Sequence, residues 1–129
     1  MRYFVSGHRD LTRQEFEEHY VPLIQKVIID DNCAQFIVGD WEGCDLLFIQ
    51  YMIRHRYINY IHLYYVHSVR LYEYFSPHEL YSIIDVPKNT YDECDEAMTR
   101  DSDFDIAWIR PGKEDSHTAK NIKRRYVKY

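Results

Sequence analysis

The sequence predicts a three-layer α/β domain with a mainly parallel sheet, a small Rossmann-like architecture. Two observations predict it. Short, continuous apolar runs at residues 3–5, 36–38, 60–66 and 105–109 read as strands, and helical patterns lie between most of them. Strands that alternate with helices call for crossover connections and so for parallel pairing. Uninterrupted apolar strands are expected where helices cover both faces of a sheet. At 129 residues the chain has the size of one domain and can bury a core without disulfide or metal staples.

Each element has its own local reason. Tyr3-Phe4-Val5 is a β-branched and aromatic run that stops at Ser6-Gly7. Thr12 followed by Glu15 is a capping box, which starts a helix near Arg13 carrying Phe16 and Tyr20 on one face. Pro22 divides that helix from a second, in which proline takes the first position. Phe36-Ile37-Val38 is the second strand, and Leu46, Ile49 and Ile53 share one face of the helix after it. Residues 60–66 form the third strand; residues 67–88 show no clean period, with Ser76-Pro77 and Val86-Pro87 read as turns. Asn89 or Thr90 caps a helix with acidic residues in its first turn. Asp105-Ile106-Ala107-Trp108-Ile109 is the fourth strand, ended by Pro111-Gly112, and a last helix starts at Ser116 or His117.

Composition narrows the function classes. Sixteen basic against 21 acidic residues give a net charge of −5, so a protein that coats nucleic acid is not expected. No apolar run reaches membrane-spanning length, and the first eight residues turn polar too early for a signal peptide. Cys33, Cys44 and Cys94 are odd in number and form no CxxC pair, which reads as reduced thiols of an intracellular, cytoplasmic protein. Seven histidines without HExxH or paired spacing predict no metal site. GxGxxG and GxxxxGK[ST] are both absent, so neither a nicotinamide dinucleotide nor a P-loop nucleotide is expected as cofactor.

In an open parallel sheet, ligands bind beyond the carboxyl ends of the strands. Three strand-end loops are therefore candidates. Ser6-Gly7-His8-Arg9-Asp10 joins a flexible glycine to an imidazole and a guanidinium fork. Residues 39–45, Gly-Asp-Trp-Glu-Gly-Cys-Asp, form a glycine-bearing turn into a helix whose amides are expected to face an anion. Residues 111–118 lead into the last helix and bring Asp115, Ser116 and Thr118. The same residues suit ordinary turns and caps.

At these loops the chain resembles a family of small Rossmann-like proteins. Residues 5–12 (Val-Ser-Gly-His-Arg-Asp-Leu-Thr), 38–45 and 97–114 carry the likeness, which extends over roughly residues 3–54 and 90–125. The family is similar to nucleoside 2-deoxyribosyltransferases and to the wider SLOG group of DprA-like and LOG-like proteins. The resemblance implies a flavodoxin-like sheet that binds a nucleotide or nucleoside derivative, in some members with cleavage of the N-glycosidic bond. It implies ligand contacts from Ser6, Gly7, His8, Arg9, Gly39, Asp40, Gly43, Asp45, Asp115, Ser116 and Thr118. Two departures from the pattern imply weak or lost catalysis: His117 stands where glycine is expected, and no glutamate follows Thr118.

N-glycosidic cleavage needs a carboxylate beside the anomeric carbon and an acid for the leaving base. Asp40, Asp45, Glu114 and Asp115 are the candidate carboxylates, and His8 or His117 the candidate acid. Cys44, expected at a helix start, is either a thiol of lowered pKa or a small packed side chain. Residues 57–81 hold seven tyrosines (57, 60, 64, 65, 72, 74 and 81), more than a small core absorbs, which predicts a homo-oligomer through this region. The rival reading follows from it: a non-catalytic assembly protein that uses the Rossmann-like core as scaffold. The tail, with five cations and no acid from residue 119 on, reads as a solvated helix end rather than a nucleic-acid contact.

Overall fold

All four apolar runs form strands, and the computed structural model, which describes residues 1–57, 59–80 and 82–128, adds a fifth. Strands β1 (Arg2–Ser6), β2 (Gln35–Val38), β3 (Ile61–Val66), β4 (Ile83–Lys88) and β5 (Phe104–Ala107) lie in the order β4-β3-β2-β1-β5, every neighbour parallel. The helices are α1 (Arg13–His19), α2 (Val21–Asp30), α3 (Cys44–Arg54), α4 (Tyr91–Asp101) and α5 (His117–Lys128).

Alternating side chains feed two cores. Val5, Phe36, Val38, Ile61, Leu63 and Ile106 pack with Phe16 of α1, Ile24 of α2 and Tyr20 between them, and with Phe48 and Met52 of α3. On the other face Phe4, Ile37, Tyr64 and Val66 meet Cys94, Ala97 and Met98 of α4. The result is a three-layer Rossmann-like α/β fold. From β1 to β4 the chain steps one place at a time in one direction, then returns through α4 to place β5 on the other side of β1. Reversing direction with right-handed crossovers moves the connecting helix to the opposite face, and it puts the switch point between β1 and β5.

The expected caps are present. Thr12 Oγ1 accepts from the Glu15 amide at 3.1 Å, and Glu15 Oε1 accepts from the Thr12 amide at 3.0 Å. Thr90, not Asn89, caps α4 by accepting from the Glu93 amide.

Residues 67–88 depart from expectation. Two short 3-10 turns, Leu71–Tyr74 and Pro77–Leu80, lead into β4, so Val86-Pro87 is not a turn but part of an edge strand. Proline is tolerated there because it removes a donor only where the strand has no further partner.

The tyrosine-rich segment is largely spent within the fold. Tyr64 is buried, and Tyr57, Tyr65 and Tyr72 pack against the main core. Tyr60 (55% exposed) and Tyr74 (43%) are its open rings, at opposite ends of β3, while Tyr81 lies outside the described residues. In the basic tail, Arg125 makes a two-pronged bond to Asp105 at 2.8 and 3.0 Å, and Arg124 bonds Asn121; Tyr129 lies outside the described residues. No helix among the described residues is long and apolar enough to cross a membrane.

Candidate functional site

The three strand-end loops border one cavity of about 580 Å³ at the carboxyl end of the sheet, on the α4 side. Of the sequence candidates, Ser6, Gly7, His8, Arg9, Gly39, Asp40, Asp45, Asp115, Ser116, His117 and Thr118 line it; Gly43 and Glu114 do not.

The first loop is held from below. Tyr20, fully buried, donates from its hydroxyl to the Ser6 carbonyl at 2.7 Å and accepts the Trp108 amide at 3.0 Å. A Cβ on Gly7 would stand 2.5 Å from that hydroxyl and 2.6 Å from Cys44 Sγ, so only glycine lets the loop lie so close. The Ser6 hydroxyl is buried without a hydrogen-bond partner among the described residues.

His8 is spoken for. Its Nε2 accepts the Arg110 amide at 2.8 Å, which places the proton on Nδ1, and burial together with the Arg110 charge lowers its pKa. A neutral, accepting imidazole is a structural tie between the first and last loops, which corrects its candidacy as general acid. Arg110 extends the tie through its guanidinium to Glu15 at 2.7 Å and Asp10 at 3.0 Å.

Two amides of the second loop are spent within the fold and do not face an outside anion. The Cys44 amide at the start of α3 donates to the His8 carbonyl at 3.2 Å, and the Trp41 amide donates to Asp45 Oδ2 at 3.1 Å. Gly43, at φ +83°, sits where a Cβ would come within 2.2 Å of the Arg9 carbonyl. It packs the second loop against the first and is a packing residue. Cys44 is the packed thiol: burial drives its pKa well up.

The carboxylates separate by role. Asp40 accepts the amides of Arg70 (2.6 Å) and Leu71 (3.0 Å), so it anchors the turn after β3 instead of facing a substrate. Asp45 is buried with the Trp41 amide as partner; desolvation, aided by the Asp40 and Asp95 charges, lifts its pKa to about 7. Burial likewise raises the pKa of Asp95, half-buried on α4 and lining the same cavity. Glu114 is exposed and accepts the Gly112 amide; it does not itself line the cavity. Asp115 lines the cavity from an exposed position. Ser116 caps α5 by accepting the Ala119 amide at 3.2 Å.

Sequence reasoning missed Trp41, Arg70, Tyr91 and Asp95, all of which line the cavity. Arg70 follows β3 in the stretch without periodicity, and Tyr91 and Asp95 belong to the helix whose acidic residues read only as favourable to its first turn. Their Arg, Trp and Tyr chemistry was a signal, but only the fold places them together. Among the described residues no cluster of His, Cys, Asp and Glu is arranged to hold a metal ion. Comparison with known family models, curated proteins and solved structures returned no match.

Proposed function

We propose that this protein binds a nucleotide or nucleoside derivative in the cavity beyond β1, β2 and β5, as the likeness to the deoxyribosyltransferase and SLOG group implies. One observation carries the reading: three loops from separate parts of the chain, chosen because they follow strands, border a single cavity. Its volume falls in the range of small-molecule sites, about 300–1,000 Å³, and it lies at the carboxyl edge where open parallel sheets bind ligands. Aromatic walls from Tyr64, Tyr65 and Tyr91 suit a base, and Asp45 and Asp95 suit sugar hydroxyls. A carboxyl that titrates near neutrality both donates and accepts.

Asp45, Asp115 and Asp95 are the cavity carboxyls left for glycosidic chemistry once Asp40 and Glu114 are assigned elsewhere. With His8 fixed as an acceptor, His117 is the candidate acid left on the cavity wall; binding with weak or lost cleavage is the activity proposed.

A thermal-shift panel of nucleosides, nucleoside monophosphates and ADP-ribose tests this. A ligand at 100 times its Kd adds about 2.7 kcal/mol and raises Tm by several degrees. No shift across the panel leaves the scaffold reading, with assembly through residues 57–81 checked by light scattering. Release of free base from monophosphates measures whatever cleavage remains.

A further inference from the structure

Two guanidiniums from distant parts of the chain converge on one indole. Arg9 Cζ lies 3.6 Å and Arg70 Cζ 4.0 Å from the centroid of the Trp41 ring. End to end, those distances keep the two charges within about 8 Å, inside a physiological Debye length. Among the described residues neither guanidinium forms an ion pair with a carboxylate. The π face offsets part of the repulsion; Asp45 and Asp95 feel the Arg9 charge and Asp40 feels the Arg70 charge, but among the described residues none of them closes to a contact ion pair with either guanidinium.

The arrangement is built rather than incidental. Asp40 holds the main chain at Arg70 and Leu71 through two amides, which directs Arg70 toward the indole without occupying its fork. Arg70 also donates to the Tyr91 hydroxyl, and the Tyr91 ring lies 5.7 Å from Trp41. Arg9, Asp40, Trp41, Glu42 and Arg70 form a wall common to the main cavity and to a neighbouring one of about 310 Å³. Of the acids beside the pair, Asp40 accepts two amides and Glu42 the Tyr74 hydroxyl at 2.7 Å; Asp10, Asp45, Asp92, Asp95 and Asp115 also line the main cavity, so an anion is held only at the wall that Arg9, Trp41 and Arg70 form.

We propose that Arg9 and Arg70, stacked on Trp41, clamp the phosphate of a phosphorylated nucleoside whose nucleoside part lies in the larger cavity. This rests on the function proposed above and names its substrate class: nucleotides, not free nucleosides. Planar guanidinium forks match phosphate oxygens in two-pronged fashion, and a ligand phosphate would give the two guanidiniums a direct ionic partner.

Isothermal titration of the full chain with a nucleoside, its 5′-monophosphate and inorganic pyrophosphate tests the clamp. The parent protein should bind the monophosphate about 10- to 100-fold more tightly than the nucleoside, and should bind pyrophosphate in a salt-sensitive way. Arg9→Met and Arg70→Met should each collapse the monophosphate-to-nucleoside ratio, and Arg→Lys at either position should restore it only in part. Equal affinity of the parent for nucleoside and monophosphate, or a ratio that survives both Met variants, overturns the clamp while the nucleoside reading stands. Arginine-dependent pyrophosphate binding without nucleoside or nucleotide binding upholds the anion site and overturns its nucleotide assignment. Binding of none of the three overturns both.

Discussion

The hydroxyl of Tyr20 donates to the main-chain carbonyl of Ser6 across 2.7 Å, at the carboxyl end of β1. Because the same oxygen accepts the Trp108 amide just past β5, one buried phenol fastens the two strands that flank the switch point. Burial is the chief reason its pKa is raised far beyond reach, so the phenol stays protonated and donating.

Removing that hydroxyl with Tyr20→Phe keeps the ring stacked on Phe16 but strips two buried main-chain groups of their partner. The expected loss is about 2–4 kcal/mol, read from urea unfolding.

Ser6→Ala is expected to act in the opposite sense on stability. Its hydroxyl is buried and unpartnered, so replacing it by a methyl should stabilise the unliganded protein by up to about 1 kcal/mol. If that hydroxyl serves the ligand in the cavity, the same variant binds more weakly, and thermal shifts with and without ligand separate the two effects.

Gly43→Ala tests the contact between the first two loops. With φ at +83° and a backbone oxygen 2.2 Å from the new Cβ, the first loop must move. A loss of more than about 3 kcal/mol is expected in thermal or urea unfolding.

Asp45 supplies a pH test. Its folded pKa, about 7, lies above the unfolded value of about 4. The protonated form is therefore favoured by folding: this contribution is complete below about pH 4 and is lost as pH rises through 7. Asp45→Asn does not titrate, so its stability relative to the parent should climb between pH 4 and 7, by about 4 kcal/mol at most.

Glu15 has the reverse sign. Hydrogen bonds from Arg110 and the Thr12 amide hold its folded pKa at about 2, below the unfolded value of about 4.3. The stability it contributes is present above the unfolded pKa and is lost as pH falls toward 2. Arg110→Met should flatten that acid slope while leaving the Arg110 amide on His8, which a series of urea midpoints between pH 5 and 2 will show.

Strands β1, β2, β3 and β5 and all five helices were legible because their signals are local: apolar runs, a capping box at Thr12, proline at the start of α2 and a threonine cap at Thr90. β4 was hidden because Asp85 and Pro87 interrupt its apolar pattern and half of it faces solvent. Its strand state comes from pairing with β3, which no local window contains.

The site divides in the same way. The sequence by itself determined which loops end the strands, since glycine, serine and threonine at those points follow from turn and cap chemistry within a few residues. Only the tertiary structure decided what each loop residue does. It turned Gly43 inward, occupied His8 with the Arg110 amide, spent Asp40 on the main chain near Arg70 and left Asp45 buried by the cavity. It also carried Arg70 and Tyr91 to Trp41. The physical reason is that hydrogen-bond partners, desolvation and like-charge proximity depend on groups far apart in the chain, 30 positions for Asp40 and Arg70 and 102 for His8 and Arg110, whose distances are set by the parallel crossovers of the sheet.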